Sequence, residues 1–299
     1  MHDNAVSAIA DADASMTTVG VHPDDPQPWW RVQRSDGALG ATPVHAGHPL
    51  RPAGARRISS ELLECLREED PFTGHAIARI PSHVIAHRSR FEVDLNRAPE
   101  AAVYRTPEQC WGLQVWRAPP DDAFVAESLR SHRAFYAMLG QLLDEVAAAH
   151  PRFVVLDVHS YNHRRDGADA APTPQQDAPD INIGTYSMPR EQWAWLLDPL
   201  IERMRGFDFG GRRLDVRENV AFEGRGELTR FVHARHPGAG CAIAIEFKKF
   251  FMDEWSGQPD PTELAAMQAF MRDIAAHARG LLQARKAPDA RPTDAPGHG

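Results

Sequence analysis

Apolar residues recur along the chain in two patterns, one typical of amphipathic helices and one typical of buried strands. Between residues 121 and 149 they repeat at helical spacing, which predicts the longest helix of the chain. Continuous apolar runs at 152–158 and 240–247 predict two strands that are buried on both faces. The apolar face of the long helix comprises Phe124, Val125, Leu129, Phe135, Tyr136, Leu139, Leu142, Leu143 and Val146.

Weaker patterns place further elements around these three. Residues 41–44 and 90–97 show short strand-like patterns, and a second helix is expected to begin near Pro189. Residues 260–263, Asp-Pro-Thr-Glu, resemble an N-cap followed by a proline at the first helical position and a glutamate at the third, so they predict a final helix to about residue 284. Buried strands that alternate with helices predict a doubly wound α/β sheet.

The two ends of the chain differ in composition from its middle. Residues 1–26 are rich in alanine, aspartate and small polar residues, and residues 286–299 are rich in proline, glycine and aspartate. Such segments offer little apolar surface to bury, so we expect a single domain at 27–285 with a disordered tail at each end. Residues 166–180 also lack apolar periodicity. We expect this segment either to cover the functional site as a mobile loop or to be an insertion without a role.

Charge and composition exclude several classes of protein. The net charge of −8 and the scattered Lys and Arg residues argue against a nucleic-acid partner, although a local arginine cluster could still bind an anionic substrate. The three widely spaced cysteines argue against a disulfide framework or a cysteine-rich zinc site. We find neither a signal peptide nor an apolar run near the roughly 20 residues of a membrane helix. We therefore expect a soluble, cytoplasmic protein with no membrane partner.

Residues that can bind a metal follow the strand predicted at 152–158. Asp157 and His159 lie two residues apart, so their side chains project from one face of the strand, and ligands of α/β sheets bind at the carboxyl ends of strands. His45 and His48 are three residues apart after a short strand and could reach the same ion. We predict that His45, His48 and His159 bind a metal and that Asp157 accepts the spare N–H of a ligand histidine. The alternative is that His45 and His48 are ordinary loop histidines among the fifteen of the chain.

Glu246 is a charged residue at the end of the apolar run 240–247. A glutamate in such a place costs free energy unless it is paired or functional. One interpretation is an ion pair with Lys248 or Lys249. The other is a general base that takes a proton from water beside the metal and returns it to a leaving nitrogen.

Several polar residues are candidates for binding a substrate carboxylate. Asn96 and Arg97 lie in the segment DLNR, and Arg225 and Arg230 lie in FEGRGELTR. A guanidinium matches a carboxylate in bidentate fashion. Each arginine could equally be a solvated surface residue.

Five segments in order along the chain resemble the N-formylglutamate amidohydrolase family, within the wider zinc exopeptidase-like fold. They are SRFEVDLNR, VVLDVHS, DINIGT, NVAFEG and AIEFKKFFMDEW. The resemblance spans roughly residues 40–258. It implies a three-layer α/β/α sandwich around a mixed, mostly parallel central sheet, of the phosphorylase/hydrolase-like type. It also implies a metal-dependent hydrolase that removes the formyl group from formylglutamate and releases formate and glutamate.

The resemblance also assigns roles to individual residues. It implies that His45 and His159 bind the metal, with Zn²⁺ the expected ion, and that Glu246 is the late strand glutamate of the family. By analogy with zinc carboxypeptidases, it implies that Asn96 and Arg97 hold a substrate carboxylate.

The first motif departs from the usual Pro-His-Ser-Gly form of the family, because residues 44–48 read Val-His-Ala-Gly-His. We therefore expect His48 as the third ligand, with Asp70 of the segment EEDPFT as the alternative. The departure indicates a divergent branch, so the expected substrate is N-formyl-L-glutamate or a related small anionic N-acyl amino acid. The competing interpretations are a carboxypeptidase-like or other deacylating zinc hydrolase and a metal-binding protein without catalysis.

Overall fold

One mixed sheet of eight strands lies at the centre of the protein. The computed structural model describes residues 15–19, 28–59 and 62–285. In chain order the strands are β1 (Ser15–Val19), β2 (Trp30–Arg34), β3 (Leu39–Thr42), β4 (His83–Ala86), β5 (Phe153–Tyr161), β6 (Ile181–Gly184), β7 (Val216–Glu218) and β8 (Gly240–Lys248). Their order in the sheet is β1-β2-β4-β3-β5-β8-β6-β7. Strands β4, β3, β5 and β8 are parallel, whereas β2 and β6 run antiparallel to their neighbours β4 and β8.

Helices cover both faces of this sheet. In chain order they are α1 (Pro52–Ala55), α2 (Leu62–Glu68), α3 (Thr73–Ile77), α4 (Asp122–Ala149), α5 (Ala194–Gly206), α6 (Glu227–Arg235) and α7 (Pro261–Ala284). Apolar side chains of α3, α5 and α7 pack on one face, and those of α4 and α6 pack on the other. The predicted three-layer α/β/α sandwich with a mixed, mostly parallel sheet is confirmed. None of the described helices combines the length and apolar character that a bilayer span requires.

Strand β5 shows why the central strands are continuous apolar runs. Val154, Leu156 and Val158 pack with α3, α5 and α7, whereas Phe153 and Val155 pack with α4 and α6. A strand covered on both faces needs apolar residues at every position. Since side chains alternate between faces, the odd-numbered residues that follow Val155 continue along the second face to the carboxyl end of the strand.

The segment 90–97 is not a strand, and that prediction is wrong. It forms turns whose two carboxylates point inward. Buried Glu92 accepts a hydrogen bond from the Arg51 backbone N–H at 2.6 Å, and buried Asp94 lies 2.7 Å from His45 Nε2. The alternation of apolar and acidic residues therefore reflects buried polar contacts rather than the solvated face of a sheet.

The expected tails fall largely outside the described residues. Within 1–26 the structure describes only Ser15–Val19, which forms β1 and pairs with β2, in contrast to the expectation of a disordered tail. The remaining residues of 1–26, and all of 286–299, lie outside the described part of the chain. The helix expected near Pro189 begins later, at Ala194. The final helix begins as predicted, since Asp260 accepts hydrogen bonds from the N–H groups of Thr262 and Glu263.

Candidate metal centre and active-site cavity

Two imidazoles and a carboxylate converge at the carboxyl ends of β3 and β5. His45 follows β3, His159 lies in β5 and Asp70 follows α2, and all three residues are buried. One ligand atom from each lies within 4.8 Å of the other two. The Nδ1 atoms of His45 and His159 lie 3.2 and 2.8 Å from Asp70 Oδ2. Two imidazole nitrogens and a carboxylate oxygen form a donor set that suits a divalent ion such as Zn²⁺.

The Nε2 atom of each histidine faces a further carboxylate, a different one for each ring. His45 Nε2 lies 2.7 Å from Asp94 Oδ1, and His159 Nε2 lies 2.9 Å from Asp157 Oδ1. The contact of Asp157 with His159 is an ion-pair distance, since neither buried oxygen of Asp157 makes a well-aligned hydrogen bond within the described structure. Carboxylates in this position orient the imidazoles of metal sites and leave the Nδ1 atoms for the ion. The residues present therefore fit a metal, and Asp157 lies beside His159 at the carboxyl end of β5. Asp94 was missed, because the segment 90–97 was interpreted as a strand.

His48 lies outside the group of converging ligands. Its Nδ1 is 2.5 Å from Oε2 of Glu69, the residue before Asp70. The group that the structure brings together is His45, Asp70 and His159, so it contains the alternative third ligand instead of His48. A backbone hydrogen bond explains this choice, because the Asp70 N–H donates to the His45 carbonyl at 3.0 Å and holds the two residues side by side.

Two further side chains hold Asp70 in place. Ser160 Oγ donates to Asp70 Oδ1 at 3.2 Å. The Nζ of Lys249, which is 1% exposed, donates to the Glu69 carbonyl at 2.8 Å and to Asn162 Oδ1 at 2.9 Å. Burial lowers the pKa of Lys249 to about 8. Through its bond to the Glu69 carbonyl, Lys249 links the backbone next to Asp70 to the end of β8.

Glu246 lies directly beside His159. In the parallel pairing of β5 with β8 the two residues are register partners, so their side chains share one face of the sheet. Both line the same cavity. The ion pair considered in the sequence analysis is absent among the described residues, because Lys248 Nζ lies 2.7 Å from Asp180 Oδ1 and Lys249 binds backbone carbonyls. Glu246 is thus a partly buried carboxylate that faces the cavity.

The charges of the site favour a cation between the imidazoles. Burial alone would raise the pKa of Asp70, but the facing imidazoles of His159 and His45 lower it below its ordinary value. Burial would lower the pKa of His159, yet Asp157 and Asp70 raise it well above the ordinary range. Burial raises the pKa of Glu246 to about 8. Asp70 and Asp157 therefore stabilise positive charge at the position where an ion would bind, and a cation there would in turn favour the ionised form of Glu246.

A cavity of about 730 Å³ opens over these groups. The predicted substrate-binding residues Asn96, Arg97 and Arg225 all line it. Arg230 does not line it and instead pairs with Glu227. Sequence reasoning missed Arg90 and Arg165, which also line the cavity, because no local pattern distinguishes them from surface arginines.

Asn96 also has a structural contact next to the metal centre. Its Nδ2 lies 3.3 Å from His159 Nε2, and its Oδ1 accepts the Leu228 N–H at 3.2 Å. Gly226 packs so closely that a Cβ there would lie 2.3 Å from Asn96 Oδ1. The side chain therefore joins the start of α6 to the site.

The segment 166–180 does not lie over the site. None of its residues is among those that line the cavity within the described structure. Arg217 Nη1 donates to the Gln176 carbonyl at 2.8 Å, and Lys248 Nζ donates to the Ala178 carbonyl at 3.0 Å. These bonds hold the second half of the segment against the edge of the sheet formed by β6 and β7.

A three-layer α/β/α sandwich with a His-Asp-His group at the carboxyl ends of parallel strands, and a glutamate beside it, defines an α/β protein with a candidate metal centre. The family model of N-formylglutamate amidohydrolase matches residues 41–252. The chain belongs to this family and is a hydrolase that acts on amides.

Two solved structures share the fold at low sequence identity. The N-formylglutamate amidohydrolase from Ralstonia eutropha is 15% identical with a TM-score of 0.63, and the match covers 86% of this chain and 98% of that one. A gene product from Agrobacterium tumefaciens is 16% identical with a TM-score of 0.59, and the match covers 84% of this chain and 93% of that one. A search of curated proteins gave no match.

Proposed function

We propose that the protein is a metal-dependent amidohydrolase that cleaves the linear amide of an N-acyl amino acid. The observation that carries this proposal is the convergence of His45, Asp70 and His159 beside Glu246. His45, Asp70 and His159 would hold one divalent ion, with Zn²⁺ favoured by the two imidazoles and one carboxylate. N-formyl-L-glutamate, the substrate in the family's name, is the first compound to test.

The chemistry follows from the positions of the side chains. A divalent ion held by His45, Asp70 and His159 would supply Lewis-acid polarisation of the amide carbonyl and would lower the pKa of water at the site. Glu246 accepts a proton from the attacking water and returns it to the nitrogen as the C–N bond breaks. Asp94 and Asp157 keep the two imidazoles oriented. The products are the carboxylic acid of the acyl group and the free amino acid.

Arg97 is the proposed receptor for the substrate carboxylate. Its guanidinium lies over the Tyr104 ring at 4.5 Å from the centroid, and its Nη1 donates to the Gln109 carbonyl at 2.9 Å. These contacts hold the planar group at the cavity wall, where it can bind a carboxylate through two N–H groups. A carboxypeptidase-like activity would use the same groups on a peptide bond. The size of the acyl group that is accepted distinguishes the two activities.

Metal analysis combined with a deacylation screen tests the proposal. Purified protein is analysed for bound metal and assayed on N-formyl amino acids, N-acetyl amino acids and dipeptides. We expect one divalent ion per chain, release of formate, loss of activity on chelation and recovery on addition of Zn²⁺. Activity that survives complete removal of metal would contradict the metal dependence. Bound metal with no turnover across the panel would favour a metal-binding protein without catalysis.

A further inference from the structure

Four large apolar side chains are exposed in the described part of the chain, and three of them lie at the site cavity. The four are Trp111, Tyr186, Val220 and Phe222, each between 40% and 60% exposed. Trp111, Val220 and Phe222 line the cavity, and we call Val220 and Phe222, which lie on one segment, the apolar wall. Single exposed apolar residues are ordinary on a protein surface, whereas a group of them at one opening marks a binding surface.

A buried amide holds the apolar wall in position. Asn182 of β6 is fully buried, and its Oδ1 accepts the N–H groups of Val220 and Ala221, each at 2.9 Å. Its Nδ2 donates to the Phe222 carbonyl at 2.7 Å. In the pairing of β6 with β8, Asn182 is the register partner of Glu246. The wall is therefore fastened to the strand position next to the proposed general base.

Close backbone packing fixes the same segment at its two ends. The Thr185 N–H donates to Asn219 Oδ1 at 3.0 Å, and Asn219 Nδ2 donates to Thr185 Oγ1 at 2.8 Å. Gly184 and Gly224 approach so closely that a Cβ on Gly184 would lie 2.5 Å from Gly224 Cα. Since both ends of the segment are fixed, the backbone that carries Val220 and Phe222 has a defined position at the cavity.

The arginines of the cavity are already paired with carboxylates. Arg90 lies 2.8 Å and Arg97 lies 3.5 Å from Asp94 Oδ2. Arg165 lies 3.5 Å from Glu68, and Arg225 pairs with Glu223. The lining holds five basic residues (Arg90, Arg97, Arg165, Arg225 and Lys249) and five acidic ones (Glu68, Asp70, Asp157, Glu223 and Glu246). A substrate with two carboxylates would have to compete with these acidic partners, whereas a substrate with one carboxylate needs only one loosely paired arginine.

From these observations we propose that the preferred substrates are N-acyl amino acids with an apolar or aromatic side chain. The side chain would pack against the apolar wall and the carboxylate would bind Arg97. The volume of about 730 Å³ is ample for such a ligand. This inference rests on the proposed function and names its substrate class. With N-formyl-L-phenylalanine, water adds its oxygen to the formyl carbon, the C–N bond breaks and the nitrogen takes a proton, which yields formate and phenylalanine.

The ratio of kcat/KM for N-formyl-L-phenylalanine to that for N-formyl-L-glutamate tests the inference. We expect a ratio of at least about tenfold in the wild-type protein, because burial of an apolar side chain is worth this much or more. Phe222→Ala should lower the ratio by about tenfold, and Phe222→Leu should restore most of it. Leu281→Ala, a similar truncation on α7 away from the cavity, should leave the ratio unchanged.

A ratio at or below one in the wild-type protein, or a ratio unaffected by Phe222→Ala, would overturn the inference. The proposed function would still be supported in that case if N-formyl-L-glutamate were hydrolysed. Binding to the Glu246→Gln variant, measured by calorimetry, separates the two ideas further. Tighter binding of N-formyl-L-phenylalanine than of N-formyl-L-glutamate, lost on adding Phe222→Ala, would support the apolar subsite even if no compound were hydrolysed. In that case the proposed function alone would fail. Equal binding of the two compounds would overturn the subsite.

Discussion

His159 and Glu246 are register partners on the adjacent parallel strands β5 and β8, so the ring of one and the carboxylate of the other leave the sheet from the same face. This relationship is set by backbone hydrogen bonds between the two longest strands of the sheet rather than by a loop. The proposed ligand and the proposed base are carried by neighbouring strands of a close-packed sheet, so they keep a constant separation. The sheet itself therefore positions the chemistry.

Glu246→Gln should lower kcat by about 10²–10⁴-fold without loss of metal. The amide keeps the size of the side chain but cannot accept a proton, and general acid–base contributions have this magnitude. Steady-state kinetics with metal analysis of the same preparation measures both quantities. Glu263→Gln, on α7, is a matched control that should leave kcat at the wild-type value. A Glu246→Gln variant with near wild-type kcat and a lowered Tm would remove Glu246 from the mechanism.

Asp70→Asn should weaken metal binding strongly, whereas His48→Gln should not. Asp70 lies within the group of converging ligand atoms, and His48 is bound to Glu69 instead. Loss of a direct ligand should exceed the roughly 10–100-fold effect that is typical of an outer partner. The His48 variant should lose only stability, by about 1–3 kcal/mol, since the buried Glu69 loses a hydrogen-bond partner. Chelator competition measures the affinities. Full metal retention by Asp70→Asn together with metal loss in His48→Gln would restore His48 as the third ligand.

Much of the frame of the fold could be predicted from local patterns. Helix α4 and strands β5 and β8 carry long, uninterrupted apolar signals, because the helix buries one face and the strands bury both. The four-residue strands β4 and β6 were missed. Their sequences, HVIA and INIG, are too short for a period to emerge, and each contains a polar residue that is buried for a specific hydrogen bond.

Some residues of the candidate site could likewise be predicted from local patterns, and others could not. His159 and Glu246 stand out because they interrupt buried strands, which is a local signal. The convergence of Asp70 with His45 depends on a backbone hydrogen bond between residues 25 positions apart in the chain, and no spacing in the sequence encodes that contact. The spacing of His45 and His48 instead predicts a shared ion, whereas the converging ligand atoms do not include His48. Asp94 was overlooked because a buried carboxylate and a solvated one look alike in an alternating segment.

Lys249→Met should weaken metal binding, and Lys248→Met should not. Lys249 Nζ bonds the carbonyl of the residue before Asp70, whereas Lys248 Nζ bonds Asp180 and the Ala178 carbonyl away from the ligands. We expect roughly a tenfold loss of affinity for Lys249→Met, by analogy with other outer partners of metal ligands. Chelator titration of the two neighbouring variants provides a matched comparison. Equal affinities in both variants would show that Lys249 has no role in placing Asp70.

His233 on α6 should make the free energy of unfolding depend on pH in the acidic range. The Ala242 N–H donates to His233 Nε2 at 3.0 Å, so this nitrogen is an unprotonated acceptor and Nδ1 carries the proton near Ser187 Oγ. Burial lowers the pKa of His233 to about 4, below the ordinary value of about 6.5. The folded state therefore binds fewer protons than the unfolded state between these two values. The contribution of His233 to the free energy of unfolding is complete above about pH 6.5 and is lost as the pH falls towards about 4.

His233→Gln should flatten this dependence, because glutamine can still accept the Ala242 hydrogen bond but does not titrate. Between pH 7 and pH 4, the free energy of unfolding should fall by about 2–3 kcal/mol less in the variant than in the wild-type protein. Urea unfolding at intervals of pH measures the difference. His75→Gln, a change of an exposed histidine on α3, is the matched control and should keep the wild-type slope. If His233→Gln also keeps that slope, the acid sensitivity arises from other groups, and the carboxylates around the metal centre become the first to examine.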